Sequence, residues 1–214
     1  MKILVLGHPR CGSRSLSREF SEVGVDLGHE VVNADGMVSW WHTGRHLGTT
    51  TQGLERFNIS RNPERNATPE LILHYVRNPA DAIPSIIVEN ESQDRLNNSF
   101  RFRTTVIKQQ FGIDLSTLSP RDAAVSSYVY WNRIASSLSH LDSPILVERP
   151  NLNDIGMLNG IRDDAQDVGH QAHVLNRTIH KFGVDKPTMS WEAIVDGLPV
   201  PLQDELDTYK SVYE

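Results

Sequence analysis

The sequence predicts an α/β fold with a mostly parallel central sheet and helices on both faces. Short runs at residues 2–6, 71–76 and 145–147, apolar except for Lys2 and His74, read as strands buried on both sides. Helix-opening signals follow directly after the first two of them, and strands alternating with helices build parallel sheets. The chain has 214 residues, 38% of them apolar and 22% charged, enough to enclose one core. It reads as a single domain over 1–214, with irregular polar loops near 44–69 and 91–119.

Taken in order, Lys2 to Leu6 is the first strand, and Gly7-His8-Pro9-Arg10-Cys11-Gly12 is the turn after it. Leu16, Phe20 and Val23 then fall at i, i+4 and i+7, the stripe of an amphipathic helix, with Gly24 in the C′ place. Leu71 to Val76 is the second strand; Asn78-Pro79-Ala80-Asp81 gives an N-cap, a proline at N1 and a carboxylate at N3. The polar stretch 91–119 holds a weak helical piece around Phe102, Val106, Ile107 and Gln110. Ser119-Pro120-Arg121-Asp122 opens a further helix, in which Tyr128, Trp131, Ala135 and Leu138 share a face. Ile145-Leu146-Val147 is the third strand, with Glu148 at its carboxyl end, and a terminal amphipathic segment runs from Leu202 to Val212.

A net charge of −6 gives no bulk attraction to nucleic acid or to an anionic membrane. One cysteine, Cys11, excludes an internal disulfide and a multi-cysteine zinc site. No metal-ligand cluster is spelled out, so no metal is expected. The first apolar run is too short for a signal-peptide core or a membrane span, and a cytoplasmic protein without a transmembrane segment is expected.

The chemistry concentrates in two places. A strand feeding a glycine turn and a helix start presents backbone N–H groups and the positive end of a helix dipole, which suits a phosphate. Pro9, Arg10, Cys11, Gly12, Ser13, Arg14 and Ser15 make up that segment. Gly7 and Gly12 keep the spacing of the nucleotide-triphosphatase signature G-x-x-x-x-G-K-[ST], but Ser13 and Arg14 stand where its lysine and hydroxyl belong. Cys11 would be a phosphatase nucleophile only with an arginine at position 17, where Ser17 stands. The second place is Arg77 at a strand end and Ser85 in the second turn of the helix beyond it, one charged and one neutral donor for a shared anion. Pro84 removes a hydrogen bond inside that helix.

Together these motifs resemble sulfotransferases that use 3′-phosphoadenosine-5′-phosphosulfate. Leu4-Val5-Leu6-Gly7-His8-Pro9-Arg10-Cys11-Gly12-Ser13-Arg14-Ser15-Leu16 resembles their 5′-phosphosulfate loop, whose pattern is approximately G-x-P-R-S-G-T-T-x-L. His74-Tyr75-Val76-Arg77-Asn78-Pro79 through Ser85 resembles their 3′-phosphate loop, with arginine and serine eight positions apart. Leu146-Val147-Glu148-Arg149-Pro150-Asn151-Leu152 is a looser match to a later strand ending in Tyr-Glu-Asp-Leu, whose tyrosine and aspartate are absent. Cys11, Arg14 and Pro84 depart from the family's serine, threonine and aliphatic residue.

The resemblance implies a nucleotide-binding fold of the P-loop type and 3′-phosphoadenosine-5′-phosphosulfate as donor co-substrate, with no metal. It implies that Arg10 neutralises the leaving phosphate, that the backbone of Cys11 to Ser15 holds the 5′-phosphate, and that Arg77 and Ser85 hold the 3′-phosphate. Arg177, in the late polar loop Asn176-Arg177-Thr178, would cover the nucleotide. Glu30 is the first candidate for general base and His29 the second, with His42 and His46 in reserve. Trp40 and Trp41 would wall a small-molecule or carbohydrate acceptor. Two other readings stay open: a nucleotide kinase-like phosphotransferase with an altered loop, and a non-catalytic nucleotide-binding module.

Overall fold

The computed structural model of the chain describes residues 2–45, 68–92, 97–152, 155 and 187–214. Five strands lie in one sheet: β1 (Ile3–Leu6), β2 (Leu27–His29), β3 (Gly36–Ser39), β4 (Leu71–Val76) and β5 (Ile145–Leu146). The sheet order is β2-β3-β1-β4-β5, and every pairing is parallel. The helices are α1 (Ser13–Glu22), α2 (His42–Arg45), α3 (Pro79–Glu91), α4 (Asn98–Phe111), α5 (Pro120–Leu138), α6 (Trp191–Val195) and α7 (Val200–Ser211). The α/β class expected from the alternation of strands and helices is the one observed.

The chain divides into two compact units. The first comprises Met1–Thr43, Ser60–Arg77 and Ala135–Leu175, and the second Gly44–Ile59, Asn78–Ile134 and Asn176–Glu214.

All five strands belong to the first unit. Ile3, Leu4, Val5 and Leu6 are each fully buried, so β1 is covered on both faces, as its unbroken apolar run requires. Leu4, Leu6 and Met37 pack with Ala135 and Leu138 of the last turn of α5 on one face. Helix α1 lies against β2 and β3, burying Leu16 and Phe20. The Gly24 N–H donates to the Ser21 carbonyl just past the end of α1. β3 was not signalled by the sequence. A parallel neighbour is ordinarily reached by a crossover of about a dozen residues or more, whereas β3 follows β2 after only the short turn Glu30 to Asp35. β2 ends at His29: the next residue, Glu30, has φ 59°, and Val31 is half exposed.

The second unit is helical. Asn78 caps α3 by accepting from the Ala80 N–H at 3.0 Å, with Pro79 and Asp81 in the expected first turn. Pro84 is accommodated inside α3. The stretch 91–119 contributes the fourteen-residue α4, capped by Asn97 through the Phe100 N–H at 2.7 Å. Ser119 and Asp122 exchange hydrogen bonds at 3.1 and 2.7 Å at the start of α5. A buried ion pair organises the interior: Arg103 of α4 donates to Glu89 Oε2 and Asn90 Oδ1 of α3, both at 3.0 Å, and to Ser127 Oγ of α5 at 2.6 Å. These bonds from Nη1 and Nη2 tie α3, α4 and α5 to one buried guanidinium.

Candidate functional site

The sheet order creates the site. After β1 the chain moves toward β2 and β3, while β4 and β5 lie on the other side of β1. In open parallel sheets ligands bind beyond the strand carboxyl ends where the connections diverge in this way. Leu6 pairs in register with Ser39 of β3 and with His74 of β4, so the loop after β1 emerges between those two strand ends.

That loop is tightly packed. A Cβ at Gly7 would lie 2.6 Å from the Tyr75 ring and 2.6 Å from the Tyr75 carbonyl oxygen, so only glycine fits. Gly12 has φ 84° and stands at the N-cap of α1 with no side-chain cap; a Cβ there would lie 2.5 Å from Val147 Cγ1. The first backbone bond into α1 runs from the Leu16 N–H to the Gly12 carbonyl. The N–H groups of Ser13, Arg14 and Ser15 therefore have no carbonyl within the helix, the arrangement that binds anions. Cys11 differs from expectation: its N–H donates to the His8 carbonyl at 3.2 Å and closes a turn, so the 5′-phosphate cradle would begin after it. Its thiol is fully buried. Pro9 is buried, Arg10 half-buried and Arg14 exposed.

Arg10 and Glu30 have φ of 69° and 59°, and among the described residues they are the two non-glycine residues in the left-handed region. That conformation costs about 1–2 kcal/mol per residue, and such strain collects at functional sites. Both had been singled out from the sequence for chemistry.

Arg77 stands just past the end of β4. Its Nη1 donates to the Arg10 carbonyl at 3.1 Å, and its Nε faces Glu148 Oε1 at 3.5 Å. Glu148 follows β5, so the ends of β1, β4 and β5 meet at one guanidinium. Ser85 lies in the second turn of α3 in the second unit, where it is buried. Arg177 and His46 lie outside the described residues.

A second cluster occupies the ends of β2 and β3. Glu30 Oε2 accepts from the Ser39 hydroxyl at 2.7 Å, and Glu30 Oε1 accepts from the Trp40 N–H at 3.0 Å. His42 Nδ1 lies 2.9 Å from Ser39 Oγ, and the His42 backbone N–H reaches the same oxygen at 3.4 Å. His29 Nε2 is 3.0 Å from Ser13 Oγ, which ties the end of β2 to the start of α1. His42 is fully buried, with the Trp41 ring centred 4.4 Å from its own. Trp41 itself is buried and Trp40 half-buried. Sequence inspection missed the part played by Ser39, because the strand that presents it was missed.

Tyr75 of β4 is fully buried beside the loop after β1. Its hydroxyl donates to the His8 carbonyl at 3.3 Å. Burial pushes the phenol well above its ordinary range, and the neighbouring Cys11 and Glu30 add to the rise. Among the described residues no group of three His, Cys, Asp or Glu could hold a metal ion, and no helix is long and apolar enough to cross a membrane. No family model, no curated protein and no solved structure matches this chain.

Proposed function

We propose that this chain is a sulfotransferase, moving a sulfuryl group from 3′-phosphoadenosine-5′-phosphosulfate to an acceptor hydroxyl, in the first place on a carbohydrate, or to an amine. One observation supports the proposal: the Arg77 guanidinium contacts the Arg10 carbonyl at 3.1 Å, so the two distant stretches of chain that this reading assigns to the two phosphates adjoin at the ends of β1 and β4. A donor with phosphates at both its 5′ and 3′ positions asks for two such elements side by side.

In the proposed reaction the N–H groups at the start of α1 hold the 5′-phosphate and Arg77 faces the 3′-phosphate. Glu30 takes the proton from the acceptor. The acceptor atom forms its bond to sulfur as the bond from sulfur to the 5′-phosphate oxygen breaks, and Arg10 neutralises the charge arriving on that phosphate. Electrostatic help of this kind is worth about 2.7–4 kcal/mol when one well-placed donor supplies it.

Thermal-shift measurements test the proposal. 3′-Phosphoadenosine-5′-phosphate should stabilise the protein without Mg²⁺, and more than ADP or ATP does with or without it. Stabilisation by ATP that depends on Mg²⁺ would replace this function with phosphoryl transfer, the chemistry that the absent lysine and hydroxyl of the loop would ordinarily serve.

A further inference from the structure

Ser39 has one proton to give and two lone pairs to fill, and the structure accounts for all three. A carboxylate only accepts, so the hydroxyl proton goes to Glu30 Oε2 at 2.7 Å. The oxygen must then accept from His42, through the backbone N–H at 3.4 Å and through Nδ1 at 2.9 Å. His42 Nδ1 therefore carries a proton. Glu30, Ser39 and His42 form a directional chain that starts at a buried imidazole and ends at a half-buried carboxylate.

We propose that Ser39 and His42 are positioning residues for Glu30: the serine hydroxyl, fixed in direction by the buried imidazole behind it, orients the Glu30 carboxylate and keeps it in its charged, proton-accepting form. This rests on the sulfotransferase function proposed above, in which Glu30 is the general base. Hydrogen bonds donated to a carboxylate favour its ionised state, and Glu30 receives them on both oxygens, from Ser39 and from the Trp40 N–H. The left-handed backbone at Glu30, φ 59°, turns the residue out of β2 toward Ser39 at the end of β3. Among the described residues, titratable groups near this corner include the Tyr75 phenol from β4, Cys11 from the loop after β1, and His29, whose Nε2 lies 3.0 Å from Ser13 Oγ.

The chain of donors is read directly by NMR on the full-length protein. Ring ¹⁵N shifts, assigned with the His42→Asn variant, should show the Nδ1–H tautomer of His42. The Glu30 side-chain ¹³C carboxyl signal should titrate at higher pH in Ser39→Ala than in the wild type. In His42→Asn, whose amide can still donate to Ser39, that midpoint should stay close to wild type. An Nε2–H tautomer in the wild type, which needs no variant to detect, overturns the proposal, as does a Glu30 midpoint that Ser39→Ala leaves unmoved. Wild-type protein that shows the tautomer but does not bind 3′-phosphoadenosine-5′-phosphate overturns the underlying function, and with it the catalytic purpose of the chain of donors.

Discussion

Arg77 Nη1 donates to the carbonyl oxygen of Arg10 at 3.1 Å, joining the residue after β4 to the loop after β1 across a separation of 67 positions. The two arginines meet through backbone, not through their charges, which would repel. Arg10 sits at φ 69°, a conformation costing about 1–2 kcal/mol. A hydrogen bond from a charged donor contributes about 1.5–3 kcal/mol, enough to offset that strain. The left-handed turn at Arg10 is thus held in place by Arg77, which ties the shape of the loop after β1 to the residue after β4.

Replacing Arg77 by alanine should weaken 3′-phosphoadenosine-5′-phosphate by about 10- to 100-fold, the equivalent of one charged hydrogen-bonding partner. The loss should be much smaller for the analogue lacking the 3′-phosphate. Isothermal titration with both ligands separates the outcomes, and equal losses would mean that Arg77 serves only the loop.

Arg10→Gly should raise stability while lowering turnover. Glycine populates positive φ without steric cost, so the urea midpoint should rise by the equivalent of up to about 1 kcal/mol, while sulfuryl transfer falls by about 10²–10³ as the leaving phosphate loses its cation. A variant that is more stable and equally active would remove Arg10 from the chemistry.

Gly12→Ala should cost about 1–3 kcal/mol, since φ is 84° and the new methyl would lie 2.5 Å from Val147 Cγ1. Adding Val147→Ala should recover only the steric part of this loss, measured as non-additivity in a double-mutant cycle of urea denaturation. Full recovery would show that the left-handed backbone at Gly12 carries no strain for alanine.

Stability should decline in alkali. Tyr75 is raised well above 10.0 and Tyr209 to about 12, burial being the first cause in both. Above pH 10 the unfolded chain releases these phenolic protons while the folded chain keeps them, so the unfolded state binds fewer protons and unfolding free energy falls as pH rises. Below pH 10 both states are protonated and neither tyrosine contributes a slope. Absorbance titration near 295 nm should show Tyr75 ionising only as the protein unfolds and Tyr209 ionising only near pH 12; ionisation of both near pH 10 in the folded state would contradict their surroundings.

Local chemistry made much of this protein readable in advance. β1 and β4 announced themselves because strands covered on both faces need apolar runs, unbroken in β1 and interrupted only by His74 in β4, and α3 because Asn78, Pro79 and Asp81 satisfy a helix start using neighbours alone. The glycines at 7 and 12 were visible for the same reason: a close approach or a left-handed turn demands glycine. β3 left no such trace, since Gly36–Ser39 is short and mixes Met37 and Val38 with a glycine and a serine.

What the linear order could not decide is partnership across the sheet. Glu30 faces Ser39 because β2 breaks at a left-handed residue and β3 pairs beside it in parallel register, and Arg77 reaches Arg10 because β4 lies next to β1. A hydrogen bond acts over about 3 Å, so which donors and acceptors meet is set by strand order and register, properties of the assembled chain that no spacing between residues encodes.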